Sequence, residues 1–263
     1  MTTSPSPIRI SIQLQPQHGT WAALRQAAIS ADELGVHTVF NWDHFYPLAG
    51  DPDGSHFEAY TALAAFAEVT SNARIGSLVT CNSYRNPNLL ADMARTIDHI
   101  SGGRFILGMG SGWAERDYLT YGYEFGTVGS RLKDLGTNLP IIRERFGKLN
   151  PGPVNGTIPI MIGGSGEKVT LRLVAQYADA WHTHGADAET LAHRLNVMHQ
   201  WCEKVGRDPA DIVLMTDAKI DELDLLEPRL KLGFRHFVIR ATGPDYDLGP
   251  LRELIQWRDN RGA

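Results

Sequence analysis

The sequence has little cysteine, no long apolar run and no block of basic residues. Two cysteines in 263 residues cannot form a disulfide framework, so a reducing, cytoplasmic location is expected. No apolar run approaches the roughly 20 residues of a membrane-spanning helix, and residues 1–7 lack the charged and apolar regions of a signal peptide. With 25 basic against 30 acidic residues, the composition argues against nucleic acid or an anionic membrane as a partner.

What remains is an ordinary globular composition. Hydrophobic residues make up 43% of the chain and charged residues 21%, which excludes a disordered or collagen-like protein. No linker rich in Pro, Gly or Ser and no low-complexity tract divides the sequence. Residues 1–263 are therefore expected to form one domain.

Strand and helix patterns alternate along the whole chain. Strands are predicted at 8–13, 36–41, 74–80, 105–109, 158–162, 179–182, 212–216 and 236–239. Helices are predicted at 20–34, 59–69, 89–100, 131–146, 167–177, 188–205, 223–231 and 248–258, with Thr20 as an N-cap and Gly35 as a C-terminal stop.

Eight strand–helix units in a chain of this length predict a single (β/α)8 TIM barrel. A doubly wound open sheet is the alternative, but it usually has fewer units and a Gly-x-Gly-x-x-Gly turn after the first strand, where this chain has residues 13–17 (QLQPQ). Irregular segments at 46–56 and 110–129 follow strand C-termini, the face where barrel active sites form. The segment 147–157 precedes a strand, and so belongs to the opposite face.

Asp43 and His44 follow the second predicted strand. A histidine at the C-terminal end of a barrel strand can act as a general acid or base near neutral pH. A neighbouring aspartate can raise its pKa or fix its tautomer. The alternative is that Asp43 caps the loop and His44 is an ordinary polar loop residue.

A glycine cluster, Gly163, Gly164, Ser165 and Gly166, joins the fifth predicted strand to a helix. Glycines allow close backbone approach to a ligand, and amides at a helix N-terminus attract anions. Lys168 and Arg172 can add positive charge, so the pattern favours an anion or phosphate site. A tight turn that needs glycine and a serine cap is the alternative.

Other residues are expected to line a pocket at the same face. Gly110, Ser111 and Gly112 make room for a flat ligand. The side chains expected to form an aromatic-lined substrate pocket are Trp42, Tyr84, Trp113 and His182. No metal site is expected, because His182 and His184 have no third ligand at a suitable spacing, and no Gly-x-Ser-x-Gly nucleophile motif follows any strand.

Three stretches together resemble the bacterial luciferase-like superfamily. They are residues 75–87 (IGSLVTCNSYRNP), 96–116 (TIDHISGGRFILGMGSGWAER) and 160–172 (IMIGGSGEKVTLR). With Asp43 and His44, they extend the resemblance from residue 8 to about residue 185. Within the superfamily the chain is most similar to oxidoreductases that depend on the deazaflavin coenzyme F420.

The resemblance implies a barrel that holds coenzyme F420, or FMN as the alternative, at its C-terminal mouth. The cofactor phosphate would bind the amides of residues 163–166, with Arg172 beside them. Further cofactor contacts are implied for Leu78, Val79, Thr80, Asn82, Gly110, Ser111 and Gly112. His44 matches the family histidine near the reactive ring carbon, and Asp43 its partner. A non-prolyl cis peptide behind the ring is implied at Leu78–Val79, or next at Val79–Thr80.

The resemblance makes a hydride-transferring, F420-dependent oxidoreductase of a small organic substrate the leading hypothesis. An FMN-dependent monooxygenase and a cofactor-binding barrel without turnover are the alternatives. Sugar-phosphate dehydrogenases of the superfamily carry a glutamate just after the strand-4 glycines, where this chain has Trp113, with Glu115 two residues on; this departure disfavours that substrate class. A homodimer is implied as well.

Overall fold

The computed structural model describes residues 7–262 as a parallel β-barrel surrounded by helices. The strands are β1 (Arg9–Gln15), β2 (Thr38–Asn41), β3 (Arg74–Ser77), β4 (Thr80–Cys81), β5 (Phe105–Gly110), β6 (Ile160–Gly163), β7 (Ala180–Thr183), β8 (Val213–Asp217) and β9 (His236–Thr242). The helices are α1 (Trp21–Glu33), α2 (Ala59–Val69), α3 (Pro87–Ile100), α4 (Glu115–Tyr121), α5 (Val128–Phe146), α6 (Thr170–Tyr177), α7 (Ala188–Val205), α8 (Leu226–Lys231) and α9 (Gly249–Gly262).

The sheet closes on itself, which confirms the predicted TIM barrel. β1 pairs in parallel with β2 on one side and with β9 on the other, and the remaining strands pair in chain order. β3 and β4 both pair with β5, so these two short strands together occupy one strand position. The barrel therefore has eight strand positions, and the third is interrupted. The interruption falls at Leu78 and Val79, whose peptide bond is cis at the position expected from the sequence.

Apolar side chains fill two layers, one inside the barrel and one between the strands and helices. The buried residues inside the barrel are Phe40, Leu78, Ile106, Met161, Ala180, Met215 and Val238. A larger cluster packs the outer faces of the strands against the helices and includes Leu24, Phe66 and Leu139. Burial of both strand faces explains why most strands read as nearly continuous apolar runs.

Several predicted boundaries differ from the structure, two of them at short helices. The segment 110–129 is not irregular throughout, since it contains α4, a helix of 7 residues that ends at Gly122 in the left-handed conformation. So short a helix gives little periodic signal. The helix predicted from residue 223 begins at Leu226, because a 3₁₀ turn (Ile220–Leu225) occupies the preceding residues.

The segment 147–157 lies at the N-terminal end of the barrel, as predicted. The Val154 N–H donates to Asp98 Oδ2 at 2.9 Å, and Asn155 Nδ2 donates to the Gly103 carbonyl at 3.1 Å. Gly103 lies just before β5, so this segment packs beneath the barrel and away from the C-terminal mouth. Within residues 7–262, no helix is both long and apolar enough to cross a membrane.

Two histidines near the N-terminal ends of the strands make the fold sensitive to acid. The His236 ring is buried. Its Nε2 lies 2.5 Å from Ser11 Oγ, and the ring packs edge-on against the His37 ring. Burial, with Arg9 and Arg74 nearby, lowers the pKa of His37 to about 4, and burial lowers the pKa of His236 well below its ordinary value. Both imidazoles are therefore neutral in the folded protein.

We expect the free energy of unfolding to fall as the pH drops from about 6.5 towards 4. Unfolded histidines take up a proton near pH 6.5, whereas these folded ones do not, so the unfolded state binds more protons in that window. At pH 5.5 the loss from His37 is about 1.4 kcal/mol, and His236 adds to it in the same direction. Urea unfolding at pH 7.5 and at pH 5.5 measures this loss of unfolding free energy. Because the buried His56 and His182 shift in the same direction, His37→Gln should remove only the part due to His37, about 1.4 kcal/mol, and an acid dependence unchanged in that variant would contradict the assignment.

Candidate active site

A cavity of about 400 Å³ opens at the C-terminal ends of the strands. It is lined by Gln13, Gln15, Trp42, Asp43, His44, Leu48, Leu78, Val79, Cys81, Tyr84, Gly110, Ser111, Gly112, Trp113, Gly163, Gly164, His182, His184 and Arg240. This is the end of a TIM barrel at which the strand–helix loops converge and active sites are built. Much of the predicted site is therefore gathered around one space of ligand size.

His44 is held by Asp117 of α4. His44 Nδ1 lies 2.7 Å from Asp117 Oδ2, and the same carboxylate accepts hydrogen bonds from the Phe45 N–H (3.3 Å) and the Tyr84 hydroxyl (3.2 Å). Asp117 is buried, so these contacts are largely shielded from water. A carboxylate at Nδ1 favours the tautomer with the proton there, which leaves Nε2 as the nitrogen available to a molecule in the cavity.

Aromatic rings enclose His44. Trp42 and Trp113 meet the imidazole edge-on, with ring centroids 5.6 and 5.5 Å from it. Trp42 is buried and donates from Nε1 to His56 Nε2 at 2.9 Å, whereas Trp113 is 64% exposed at the lip of the cavity. Burial lowers the pKa of His56 to about 4. His56 is thus a neutral acceptor that orients Trp42.

Asp43 is not the partner of His44, and this expectation from the sequence was wrong. Its carboxylate accepts hydrogen bonds from Arg85 Nη1 (2.7 Å) and Nη2 (3.1 Å) and from the Cys81 N–H (3.0 Å). Adjacent residues on an extended segment point to opposite sides, so Asp43 and His44 diverge. Burial raises the pKa of Asp43, and Arg85 opposes that rise. Asp43 therefore ties the β2 loop to the segment after β4.

The floor of the cavity is built around Val79. The Leu78 carbonyl, at the cis peptide, accepts a hydrogen bond of 2.5 Å from Gln13 Nε2. A Cβ added at Gly110 or Gly163 would lie 2.5 or 2.8 Å from a Val79 methyl group. Side chains at those two positions would overlap Val79, so the two glycines allow Val79 to form the floor of the cavity.

The glycine segment after β6 is shaped by hydrogen bonds to β7. Gly164 has φ +125°, its N–H donates to the His182 carbonyl at 3.0 Å, and its own carbonyl accepts from Trp181 Nε1 at 2.7 Å. Gly163 and Gly164 line the cavity, whereas Ser165 and Gly166 continue outward from it. α6 begins only at Thr170, so the glycines lie further from the helix than predicted.

Besides Ser165 and Gly166, three further residues expected at the cofactor lie outside the cavity. Arg172 is exposed on α6, in a surface depression next to α5 and outside the cavity. Thr80 is buried behind the cavity wall with its hydroxyl 2.8 Å from that of Tyr60, and Asn82 Oδ1 accepts from Asn138 Nδ2 at 3.2 Å. α6 begins later than predicted, and this places Arg172 away from the cavity. Side chains alternate in direction along the third strand position, formed by β3 and β4, so the Thr80 side chain points away from the cavity.

A second polar cluster, which we term the polar rim, lies across the cavity from His44. It consists of His182, His184, Asp217 and Arg240, at the C-terminal ends of β7, β8 and β9. Asp217 Oδ2 lies 3.0 Å from His184 Nδ1 and 3.0 Å from Arg240 Nη2. His182 Nε2 is buried 3.3 Å from Asp217 Oδ1, outside the alignment of a hydrogen bond.

Sequence reasoning missed Asp117, Asp217 and Arg240. The last two could have been found, because each lies where a predicted strand ends at the functional face. Asp117 gave no such signal, since it belongs to the short helix α4 that the sequence pattern did not predict.

The comparisons with known proteins agree with this architecture. Residues 5–220 match the family model described as luciferase-like monooxygenase. A putative coenzyme F420-dependent oxidoreductase of Mycobacterium tuberculosis is 31% identical over 200 residues, which span 65% of this chain and 54% of the relative. An F420-dependent glucose-6-phosphate dehydrogenase of Kribbella flavida is 28% identical, with 81% of this chain and 69% of the relative covered.

Solved structures share the fold at low sequence identity. An F420-dependent secondary alcohol dehydrogenase, in complex with an F420-acetone adduct, has a TM-score of 0.83 at 17% identity, covering 95% of this chain and 98% of the other. A type II Baeyer–Villiger monooxygenase from a Pseudomonas putida plasmid, in complex with FMN, has a TM-score of 0.66 at 16% identity, covering 82% and 69%. The family match spans most of the chain, and the protein is accordingly an enzyme of the luciferase-like monooxygenase family.

Proposed function

We propose that the protein is an F420-dependent oxidoreductase that interconverts a small alcohol or amine and the corresponding carbonyl compound or imine. The observation that carries the proposal is the His44–Asp117 pair, 2.7 Å apart, on a cavity with a flat glycine-flanked floor. The F420-dependent relatives, and the alcohol dehydrogenase that binds an F420-acetone adduct, support the choice of F420.

The cavity fits a flat deazaflavin ring with a phosphate-bearing tail. The floor at Val79 lies between Gly110 and Gly163, and the amides of Ser165 and Gly166, which follow the engaged Gly164 N–H, offer donors to an anion. When bound, F420 supplies the hydride acceptor or donor, so the cavity side chains need no redox chemistry of their own.

The residues of the chain supply proton transfer and orientation. In the oxidative direction, His44 Nε2 accepts the hydroxyl proton of the substrate, and in the reductive direction it returns that proton to the oxygen or nitrogen. The buried Asp117 carboxylate stabilises the imidazolium that forms. Trp42 and Trp113 reduce the access of water to this nitrogen.

The proposal is tested by turnover under anaerobic conditions with a panel of small alcohols, enones and imines. We expect at least one alcohol to bleach the absorbance of oxidised F420, or one enone or imine to restore it from the reduced form. Oxygen consumption with reduced FMN, and no reaction of F420 with any member of the panel, would contradict the proposal in favour of the FMN-dependent monooxygenase.

The homodimer and the cytoplasmic location stay predictions. Exposed apolar side chains on and near α4, Leu119, Tyr121 and Val128, support a subunit interface there.

A further inference from the structure

The polar rim combines a cation with an anion at the edge of the cavity. Arg240 is the single lysine or arginine among the cavity-lining residues in the part of the chain that the structure describes. Its Nη2 lies 3.0 Å from Asp217 Oδ2. Arg85, which lies behind the cavity wall, is engaged by Asp43 and by Glu58, both at 2.7 Å.

Asp217 is ionised and cancels the charge of Arg240. Burial alone would raise the pKa of Asp217, but His182, His184 and Arg240 outweigh it and hold that pKa well below its ordinary range. Burial lowers the pKa of His182, which is therefore neutral and adds no positive charge. Arg229 does not line the cavity; it donates to the backbone carbonyl of Asp217 at 2.8 Å. The rim thus offers hydrogen-bonding groups with no net positive charge from its Asp217–Arg240 pair.

A phosphorylated or carboxylated molecule gains little from such a rim. To bind Arg240 it would have to displace the Asp217 carboxylate or approach it within a few ångströms, where like charges repel. A neutral molecule meets no such repulsion. It can accept from the guanidinium N–H groups of Arg240 that do not face Asp217. The rest of its body would contact Trp42, Leu48 and Trp113.

We infer that the substrate is an uncharged polar molecule and that Asp217 is the specificity-determining residue that keeps anionic substrates away from the polar rim. The inference rests on the proposed function only in calling the occupant a substrate. Glucose 6-phosphate, named for one relative, belongs to the class that this arrangement excludes. The exclusion itself is a property of the rim and can be measured with inorganic phosphate.

Asp217→Asn is expected to create an anion site that the wild-type protein lacks. The amide keeps the shape of the side chain but removes its charge, which leaves Arg240 uncompensated. We expect calorimetric titration at low ionic strength and pH 7.5 to show phosphate binding at least tenfold tighter than in the wild-type protein. Asp211→Asn, exposed just before the N-terminal end of β8, makes the same change in net charge and should leave phosphate binding unchanged.

The double variant Asp217→Asn/Arg240→Gln separates the rim from the glycine segment, which is also expected to attract phosphate. It should lose the gain completely. Three results would each overturn the inference: no gain in Asp217→Asn, a gain that survives removal of Arg240, or Arg240-dependent phosphate binding by the wild-type protein. None of these measurements uses F420, so their results can be interpreted even when the proposed cofactor is wrong.

Discussion

Replacing His44 by alanine is expected to lower kcat by about 10²–10⁴-fold, the usual contribution of a positioned general acid or base. The imidazole is the titratable group held at the aromatic wall of the cavity, and alanine leaves the substrate proton without an acceptor. The floor at Val79 and the glycine segment are untouched, so the Kd for F420 should change by less than about threefold. The rate is measured with the fastest substrate of the panel, and the Kd by cofactor fluorescence.

Two further variants define the origin of that loss. His199→Ala, exposed on α7, is the matched control and should retain full activity. Asp117→Asn should lower kcat more than it raises KM, because an amide no longer enforces a proton on His44 Nδ1 or stabilises the imidazolium. Full activity in His44→Ala would remove the histidine from the chemistry. Full activity in Asp117→Asn would reduce Asp117 to a structural contact.

Asp43→Ala is expected to lower the free energy of unfolding by about 3 kcal/mol, since it leaves a buried guanidinium without its principal carboxylate. Arg85 is largely buried, stacks 4.3 Å over the Tyr60 ring and, among residues 7–262, keeps Glu58 as its one ionic partner in the variant. The Cys81 N–H loses its acceptor as well. Urea unfolding at neutral pH measures the change.

The matched control for Asp43 is a carboxylate in an exposed ion pair. Asp53 lies 2.5 Å from Arg116 with a side chain that is 78% exposed. Asp53→Ala should cost less than about 1 kcal/mol, because water screens such pairs. A contradictory result would be an Asp43→Ala variant that loses no more unfolding free energy than Asp53→Ala and yet has no turnover. Asp43 would then have the catalytic role inferred from the sequence and not the structural role.

The sequence predicted the barrel well because its strands and helices alternate with clear periodicity and stop signals. The resemblance also predicted the cis peptide at Leu78–Val79. The sequence further predicted that one cavity at the C-terminal end of the barrel contains His44, Gly110, Gly163 and Trp113. Each of these residues lies at or just after the C-terminal end of a strand, where topology alone brings side chains together.

Side-chain pairing was beyond the reach of the sequence. Asp43 is adjacent to His44 in the chain but points to Arg85, whereas Asp117 reaches His44 from 73 residues away. Adjacency along an extended segment separates side chains, and a distant helix supplies the partner. Arg172 lies outside the cavity for a related reason, since the direction of its side chain depends on the residue at which α6 begins.

The most direct test of the central claim is an equilibrium titration of the purified protein with F420 and, separately, with FMN. We expect F420 to bind with a Kd in the micromolar range or below and FMN at least tenfold more weakly. Ser165→Asp, which brings a negative charge to the glycine segment, should weaken F420 binding at least tenfold, whereas Gln200→Glu on α7 should not. Tighter binding of FMN than of F420, or binding of neither, would contradict the account.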